Sequence, residues 1–141
     1  NGMSKSLNTL YLRSLHSMCT LLKDERSINL GSVYESVVAQ ELKAHGHDLF
    51  YYDNAKKGEV DYLVNNVSGM TVLPIEVKSG KDYTSHKALD RFLADEEYNI
   101  PSGIVLNNER EVYTKNKVTY MPVYFVMCIE RAEIPEDDCI F

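Results

Sequence analysis

At 141 residues, with 44% hydrophobic and 26% charged side chains, the chain has the size and composition of one globular domain, long enough to bury roughly two thirds of the surface of its unfolded form. No apolar run approaches the ~20 residues of a membrane-spanning helix, and the N-terminus lacks the charged-then-apolar order of a secretion signal. Cys19, Cys128 and Cys139 are odd in number and lack paired spacing, which argues against a disulfide framework or a zinc site and makes a reducing cytoplasm the expected compartment. The net charge of −6 argues against a general nucleic-acid coat, because phosphate neutralisation dominates such binding. Its distribution softens that objection. Residues 1–89 carry ten Lys/Arg against ten Asp/Glu, so the deficit belongs to residues 90–141. Lys56, Lys57, Lys78, Lys81 and Lys87 form either a local basic rim or a solvated lysine face.

In chain order, Leu7, Leu10, Tyr11, Leu15, Met18 and Leu22 recur at three- and four-residue steps, which predicts an amphipathic helix. Residues 23–29 are polar and read as a loop. A second helix is expected over 32–44, stopped by Gly46. Residues 48–53 and 59–65 read as a hairpin joined by Asn54-Ala-Lys-Lys-Gly58, and the turn residues Asn65, Asn66, Ser68 and Gly69 lead to a third strand over 71–78. Pro74 has no N–H to give a ladder, so the first half of that strand is expected at an edge or bulge. A helix is expected over 85–97 and a short buried strand over 103–106, a spacing that normally makes a parallel crossover. Residues 118–125 supply another strand, interrupted by Pro122, and an acidic tail closes the chain from 130 to 141.

The densest chemical signal lies in two short β-branched runs. Asp61 stands in Gly58-Glu59-Val60-Asp61, and fourteen residues separate it from Glu76-Val77-Lys78. Residues two apart on a strand share a face, so Glu76 and Lys78 should lie on one side while Ile75 and Val77 enter a core. On the first run, Val60, Tyr62 and Val64 are expected on one face and Asp61 on the other, with Glu59 exposed. If the runs pair, two carboxylates and an ammonium converge. Such a pair suits a hard cation like Mg2+, which takes one or two protein carboxylates and keeps several waters. A lysine beside it can orient or help deprotonate a water, or balance charge on a phosphate.

Gly-Glu-Val-Asp followed by Ile-Glu-Val-Lys resembles the core motif of the PD-(D/E)XK nuclease superfamily, which includes restriction endonucleases, RecB-type nucleases and archaeal Holliday-junction resolvases. A longer pattern is more specific: Gly31-Ser-Val-Tyr-Glu35-Ser-Val-Val-Ala-Gln40-Glu-Leu, Tyr51-Tyr52, the two motifs, and Ser79-Gly80-Lys81. It resembles the C-terminal domain of a bacterial and archaeal AAA-type ATPase family, over about residues 10–126. The resemblance implies one α/β domain spanning 1–141 with a restriction-endonuclease-like core. That core is a mixed central sheet in helix-strand-strand-strand-helix-strand order with flanking helices, the C-terminal part of a longer ATPase. It implies Mg2+- or Mn2+-dependent hydrolysis of nucleic acid, DNA in the first instance, with no membrane partner. Asp61 and Glu76 would ligate the metal, Glu35 would join them, the Val77 carbonyl would complete the shell, and Lys78 would position or activate the nucleophile. ATP binding would belong elsewhere, because no Gly-x-x-x-x-Gly-Lys-Ser/Thr loop occurs here.

The residues also admit plainer readings. Glu35 falls beside the stripe of Tyr34, Val38 and Leu42, where a carboxylate either meets a cation or pairs with a lysine near a helix end; Glu41 falls in the same broad apolar arc. Asp61, Glu76 and Lys78 taken singly could be the solvent-facing positions of a half-exposed strand. Two departures from the nuclease pattern stand out. The helix after Glu-x-Lys reads Ser85-His-Lys-Ala-Leu-Asp-Arg-Phe, without the Gln many nucleases carry, and Val60 replaces the Pro of the motif's name. His86 or Lys87 could face the same cleft or simply sit in a polar first turn. His16, His45 and His47 lack ligand spacing and read as surface residues. The tyrosines could stack on bases, but Tyr51, Tyr52, Tyr62 and Tyr124 read as core or half-buried packing. A non-catalytic module that binds DNA or a protein for the ATPase is the alternative function, with a standalone interaction domain behind it.

Overall fold

A computed structural model describes residues 30–66 and 71–130. The expected N-terminal helix, the loop at 23–29, the middle of the turn before the third strand and the tail beyond 130 lie outside the described residues. Helix α1 (Leu30–Ala44) buries Val38 and Leu42 completely. It ends as Gly46 predicted: that residue takes a φ of 83°, the Gly46 N–H donates to the Lys43 carbonyl, and the His47 N–H donates to the Leu42 carbonyl. This pair of bonds satisfies carbonyls that a helix end otherwise leaves open.

Strands β1 (Phe50–Asn54), β2 (Gly58–Asn65), β3 (Val72–Val77), β4 (Gly103–Asn107), β5 (Tyr113–Lys115) and β6 (Val118–Pro122) form one mixed sheet in the order β1-β2-β3-β4-β6-β5. The first three are antiparallel neighbours, β3, β4 and β6 run parallel, and β5 returns antiparallel on β6. Helix α2 (Lys87–Ala94) connects β3 to β4, shorter than the expected 85–97. Instead of continuing through Pro122, the chain leaves β6 in a 3-10 helix (Val123–Cys128). The short β5 was absent from the expectation. It is set up by Asn116, whose φ of 53° suits a tight turn between β5 and β6.

Two apolar clusters sandwich the sheet. On one side α1 and the 3-10 helix cover Tyr62, Val64, Ile75, Val77, Ile104 and Leu106. On the other, Leu89, Phe92 and Leu93 of α2 cover Val60, Leu63, Val105, Val118 and Tyr120. This explains why Gly103-Ile-Val-Leu-Asn107 is buried at every position: a parallel strand covered on both faces needs no polar alternation. Pro74 is buried in a central strand, yet the β3–β4 ladder begins only at Ile75, so the expected unpaired stretch is real on that side alone.

The expected alternation along β2 fails at one place. Phe50 pairs with Leu63 and Tyr52 with Val60, so two residues of β2, Asp61 and Tyr62, occupy the space opposite Tyr51. The bulge puts Val60 in the α2-side cluster while Tyr62 and Val64 join the α1 side. Such an extra residue re-aims side chains, and here it falls on the aspartate of the motif.

Gly58 fixes the start of β2. Its φ is +96°, and a Cβ there would meet the Ala88 Cβ of α2 at 2.9 Å. Gly58→Ala is therefore expected to destabilise the domain by about 1–3 kcal/mol, from left-handed backbone strain plus the clash. Urea denaturation measures the loss. Ala88→Gly in the same chain should recover the clash portion and leave the backbone portion.

Candidate functional site

The β2–β3 ladder ends at the pair Tyr62–Ile75, so Asp61 and Glu76 are the residues that follow it on the two strands. The Val77 N–H donates to Asp61 Oδ2 over 2.7 Å, which turns the bulged carboxylate toward the end of β3. Glu76 pairs in register with Val105, a fully buried member of the α2-side cluster. The glutamate thus enters a largely apolar environment and is only 7% exposed, which rules out the reading of a solvated strand position. Lys78 Nζ lies 3.5 Å from Glu76 Oε1, while Glu76 Oε2 is buried with no hydrogen-bond partner among the described residues. The Lys78 N–H donates to the Leu106 carbonyl, holding the lysine against the end of β4.

Electrostatics follow from this placement. Burial, then the nearby Asp61 carboxylate, pushes the Glu76 carboxyl up to about 7 against the pull of Lys78. Burial also raises Asp61, with Glu59 adding and the Val77 N–H and Lys78 opposing. Glu35 is raised by burial, then by Asp61 and Glu59, with Lys78 opposing. Desolvation is the largest cause for all three, and repulsion by Asp61 adds to it at Glu35 and Glu76.

Glu35 comes from α1, on the Tyr62 side of the sheet, whereas Glu76 lies beside Val105 of the α2 side. Tyr62 ties the helix down by donating its hydroxyl to the Glu35 backbone carbonyl over 2.9 Å. The Asp61 charge raises the carboxyl of both glutamates. Among the described residues no three His, Cys, Asp or Glu side chains are gathered tightly enough to hold a cation as they stand. What the structure brings together is Asp61, Glu76, Val77 and Lys78, with Glu35 at the margin.

Several expectations about neighbouring residues change. His86 is neither in a cleft nor in a solvated first turn: it is buried, with Nε2 2.6 Å from the Tyr120 hydroxyl and Nδ1 3.0 Å from Asp90. His47 is buried rather than at the surface, its Nε2 3.0 Å from the Ile129 carbonyl, because the helix stop at Gly46 turns it under the 3-10 helix. Tyr51 and Tyr124 are exposed, not packed in the core, whereas Tyr62 is buried. Glu59 is exposed as expected. One residue escaped sequence reasoning altogether. Asn107 ends β4 one step past the Val77–Leu106 pair, and is buried with Nδ2 unpartnered among the described residues while Oδ1 accepts from the Glu109 N–H. An Asn closing an otherwise apolar parallel strand was the available signal.

A mixed sheet with a helix on each face and an Asp/Glu/Lys cluster at the end of its third strand thus defines an α/β domain with a polar site at a strand terminus. The chain belongs to the DUF4143 family, described as a domain of unknown function, whose model matches residues 30–126. No curated protein and no solved structure matches it. Among the described residues no helix is long and apolar enough to cross a membrane.

Proposed function

We propose that the domain is a metal-dependent nuclease of the PD-(D/E)XK type that hydrolyses nucleic-acid phosphodiesters, DNA first among them, for an AAA-type ATPase to which it is attached. The observation that carries this reading is the buried Glu76 carboxylate, with one oxygen unpartnered among the described residues, flanked by Lys78 and close enough to Asp61 to feel its charge. The donors fit a hard cation, because Mg2+ takes oxygen ligands and needs only one or two protein carboxylates. Asp61 and Glu76 would hold it with the Val77 carbonyl, and Glu35 would join directly or through water. When bound, Mg2+ supplies positive charge beside phosphoryl oxygens and acidifies water. The chain's own residues do the rest. The Val77 N–H keeps Asp61 aimed at the site, and the Lys78 ammonium orients the attacking water or balances charge building on the phosphate. The order helix, three antiparallel strands, helix, parallel strand supports the restriction-endonuclease-like reading of the core. Attachment to an ATPase rests on the sequence resemblance.

The test is incubation of the chain with single- and double-stranded DNA, with and without Mg2+ or Mn2+, beside Asp61→Ala. Cleavage that needs both the ion and Asp61 is the expected result; equal cleavage by Asp61→Ala sinks the proposal. Metal affinity is checked separately. Asp61→Asn is expected to weaken Mn2+ binding at least tenfold, about 1.4 kcal/mol, by titration calorimetry.

A second reading, a non-catalytic module binding DNA or protein for the ATPase, is favoured by two observations. Glu35 stands apart from Glu76, so the described residues hold no ready three-carboxylate site. Helix α2 has no Gln. Crystals grown with Mn2+ separate the readings: one ion touching both Asp61 and Glu76 supports the nuclease, and its absence supports the module.

A further inference from the structure

Tyr51 is the most exposed large hydrophobic side chain among the described residues, at 68%. One exposed tyrosine is ordinary on a protein surface; its place here is not. Strand β1 is an edge of the sheet, and the bulge sets Tyr51 opposite Asp61 and Tyr62 together. Paired strands lie about 4.8 Å apart, so the aspartate of the candidate site is on the next backbone over. The Tyr51 ring is also held. It meets the Tyr62 ring edge-on, with centroids 5.8 Å apart and planes at 62°. Tyr62 is itself fixed, being 7% exposed and bonded through its hydroxyl to the Glu35 carbonyl. Tyr52 turns to the other side of the sheet and packs on Phe92 and Tyr98. Of the Tyr51-Tyr52 pair, one ring is therefore packing and the other is presented to solvent beside Asp61.

We propose that Tyr51 is a stacking platform for an unpaired base of the nucleic acid, next to the phosphodiester that Asp61 and Glu76 would hold through a cation. The inference rests on the nucleic-acid reading of that site and narrows it to single-stranded or frayed substrates. Every base has a flat π-face, which an aromatic ring accepts without regard to sequence. In an intact duplex both faces of a base are already stacked on its neighbours, so a ring at a sheet edge gains nothing there. Charge points the same way. A chain of net charge −6 draws little affinity from neutralising phosphates, and contact with bases has to supply what phosphate contacts do not. The tie from Tyr51 through Tyr62 to Glu35 keeps the platform in register with the carboxylates.

The test measures fluorescence anisotropy of the full chain with three labelled probes in Ca2+: a short oligothymidylate, an abasic strand of the same length, and a blunt duplex. The abasic strand keeps every phosphate and lacks the faces. Wild type should bind the oligothymidylate about tenfold or more tighter than either other probe. Tyr51→Ala should weaken that binding about 5- to 100-fold, the usual loss of one base-stacking ring, and leave the abasic strand unaffected. Tyr51→Phe, which keeps the face and drops the hydroxyl, should bind as wild type does. Equal binding of normal and abasic strands by wild type, or no binding of any probe, overturns the proposal even if Tyr51→Ala fails to fold. So does Tyr51→Ala binding like wild type, or Tyr51→Phe binding as weakly as Tyr51→Ala. Dimerisation in sedimentation that Tyr51→Ala abolishes would give the β1 edge to a second copy and also overturns it. Cleavage in Mg2+ is scored separately. Tyr51-dependent binding without cleavage keeps the platform and removes the nuclease, whereas cleavage with Tyr51-independent binding does the reverse.

Discussion

Glu76→Gln should make the ion-free domain more stable at pH 8 by about 3 kcal/mol relative to the difference between the two proteins at pH 4. The cause is burial first and Asp61 second, which lift the folded carboxyl from its ordinary 4.5 to about 7. A group whose folded pKa is raised favours the fold in its protonated form. That contribution is complete below about pH 4.5 and is lost as pH rises through about 7. Above that range wild type carries an ionised carboxylate beside Val105 and the variant carries a neutral amide. For a chain of this size the difference amounts to about 6–12 °C in melting temperature. Melts in chelator at pH 4, 6 and 8 read it directly; a difference independent of pH would mean that Glu76 titrates as an ordinary carboxylate. Mg2+ should close most of that gap. Binding to the folded state alone adds RT ln(1 + [L]/Kd), ~2.7 kcal/mol at a hundred times Kd, to wild type and not to the variant. An equal rise in both proteins would separate Glu76 from any cation site.

Lys78→Met should lower Mg2+-dependent cleavage by about 10²–10⁴-fold, the usual contribution of a positioned proton-transfer group, with the melting temperature nearly unchanged. Methionine keeps much of the apolar stem. The Lys78 side chain is about one third exposed and its Nζ stands 3.5 Å from Glu76 Oε1, so the pairing is partly screened by solvent and worth little to the fold. Losing it should also lift the Glu76 carboxyl further, because Lys78 is the first of the influences that hold it down. The acidic shift in the stability profile then moves to higher pH, an outcome visible even without a nuclease assay. Should the melting temperature fall steeply instead, Lys78 would be a structural counter-ion; loss of one partner of a buried pair costs ~3–5 kcal/mol.

The local signals read from sequence were those with short physical range. The period of Tyr34, Val38 and Leu42 placed α1, the left-handed freedom of Gly46 stopped it, and Asn54 with Gly58 located the first turn. The pairing of the Asp61 and Glu76 runs was also legible, because two strands joined by a short turn have few other ways to satisfy their backbone groups. Period-2 reasoning then misplaced Val60 relative to Tyr62. A bulge is set by how β1 and β2 close against two helices, and no residue type in Gly58-Glu-Val-Asp-Tyr-Leu announces it. The same limit applied to the histidines. His47 was assigned to the surface for want of ligand spacing, and His86 to a cleft or a polar first turn, yet each bonds to an element distant in sequence, at Ile129 and Tyr120.

Sequence by itself therefore determined the element order up to β4, the helix stop and the identity of the Asp61, Glu76 and Lys78 cluster, since these depend on backbone freedom and on side-chain spacing along one strand or helix; β5 and the 3-10 helix were not read from it. Tertiary structure alone decided which carboxylates are desolvated. Glu76 is buried because Val105 of a parallel neighbour lies beside it, and Glu41 because the 3-10 helix closes over α1. Glu35 stays at the margin because α1 covers the opposite face of the sheet from Glu76. Burial depends on residues remote in the chain, and it is burial, more than the carboxylates' mutual repulsion, that raises the pKa of Glu35, Asp61 and Glu76.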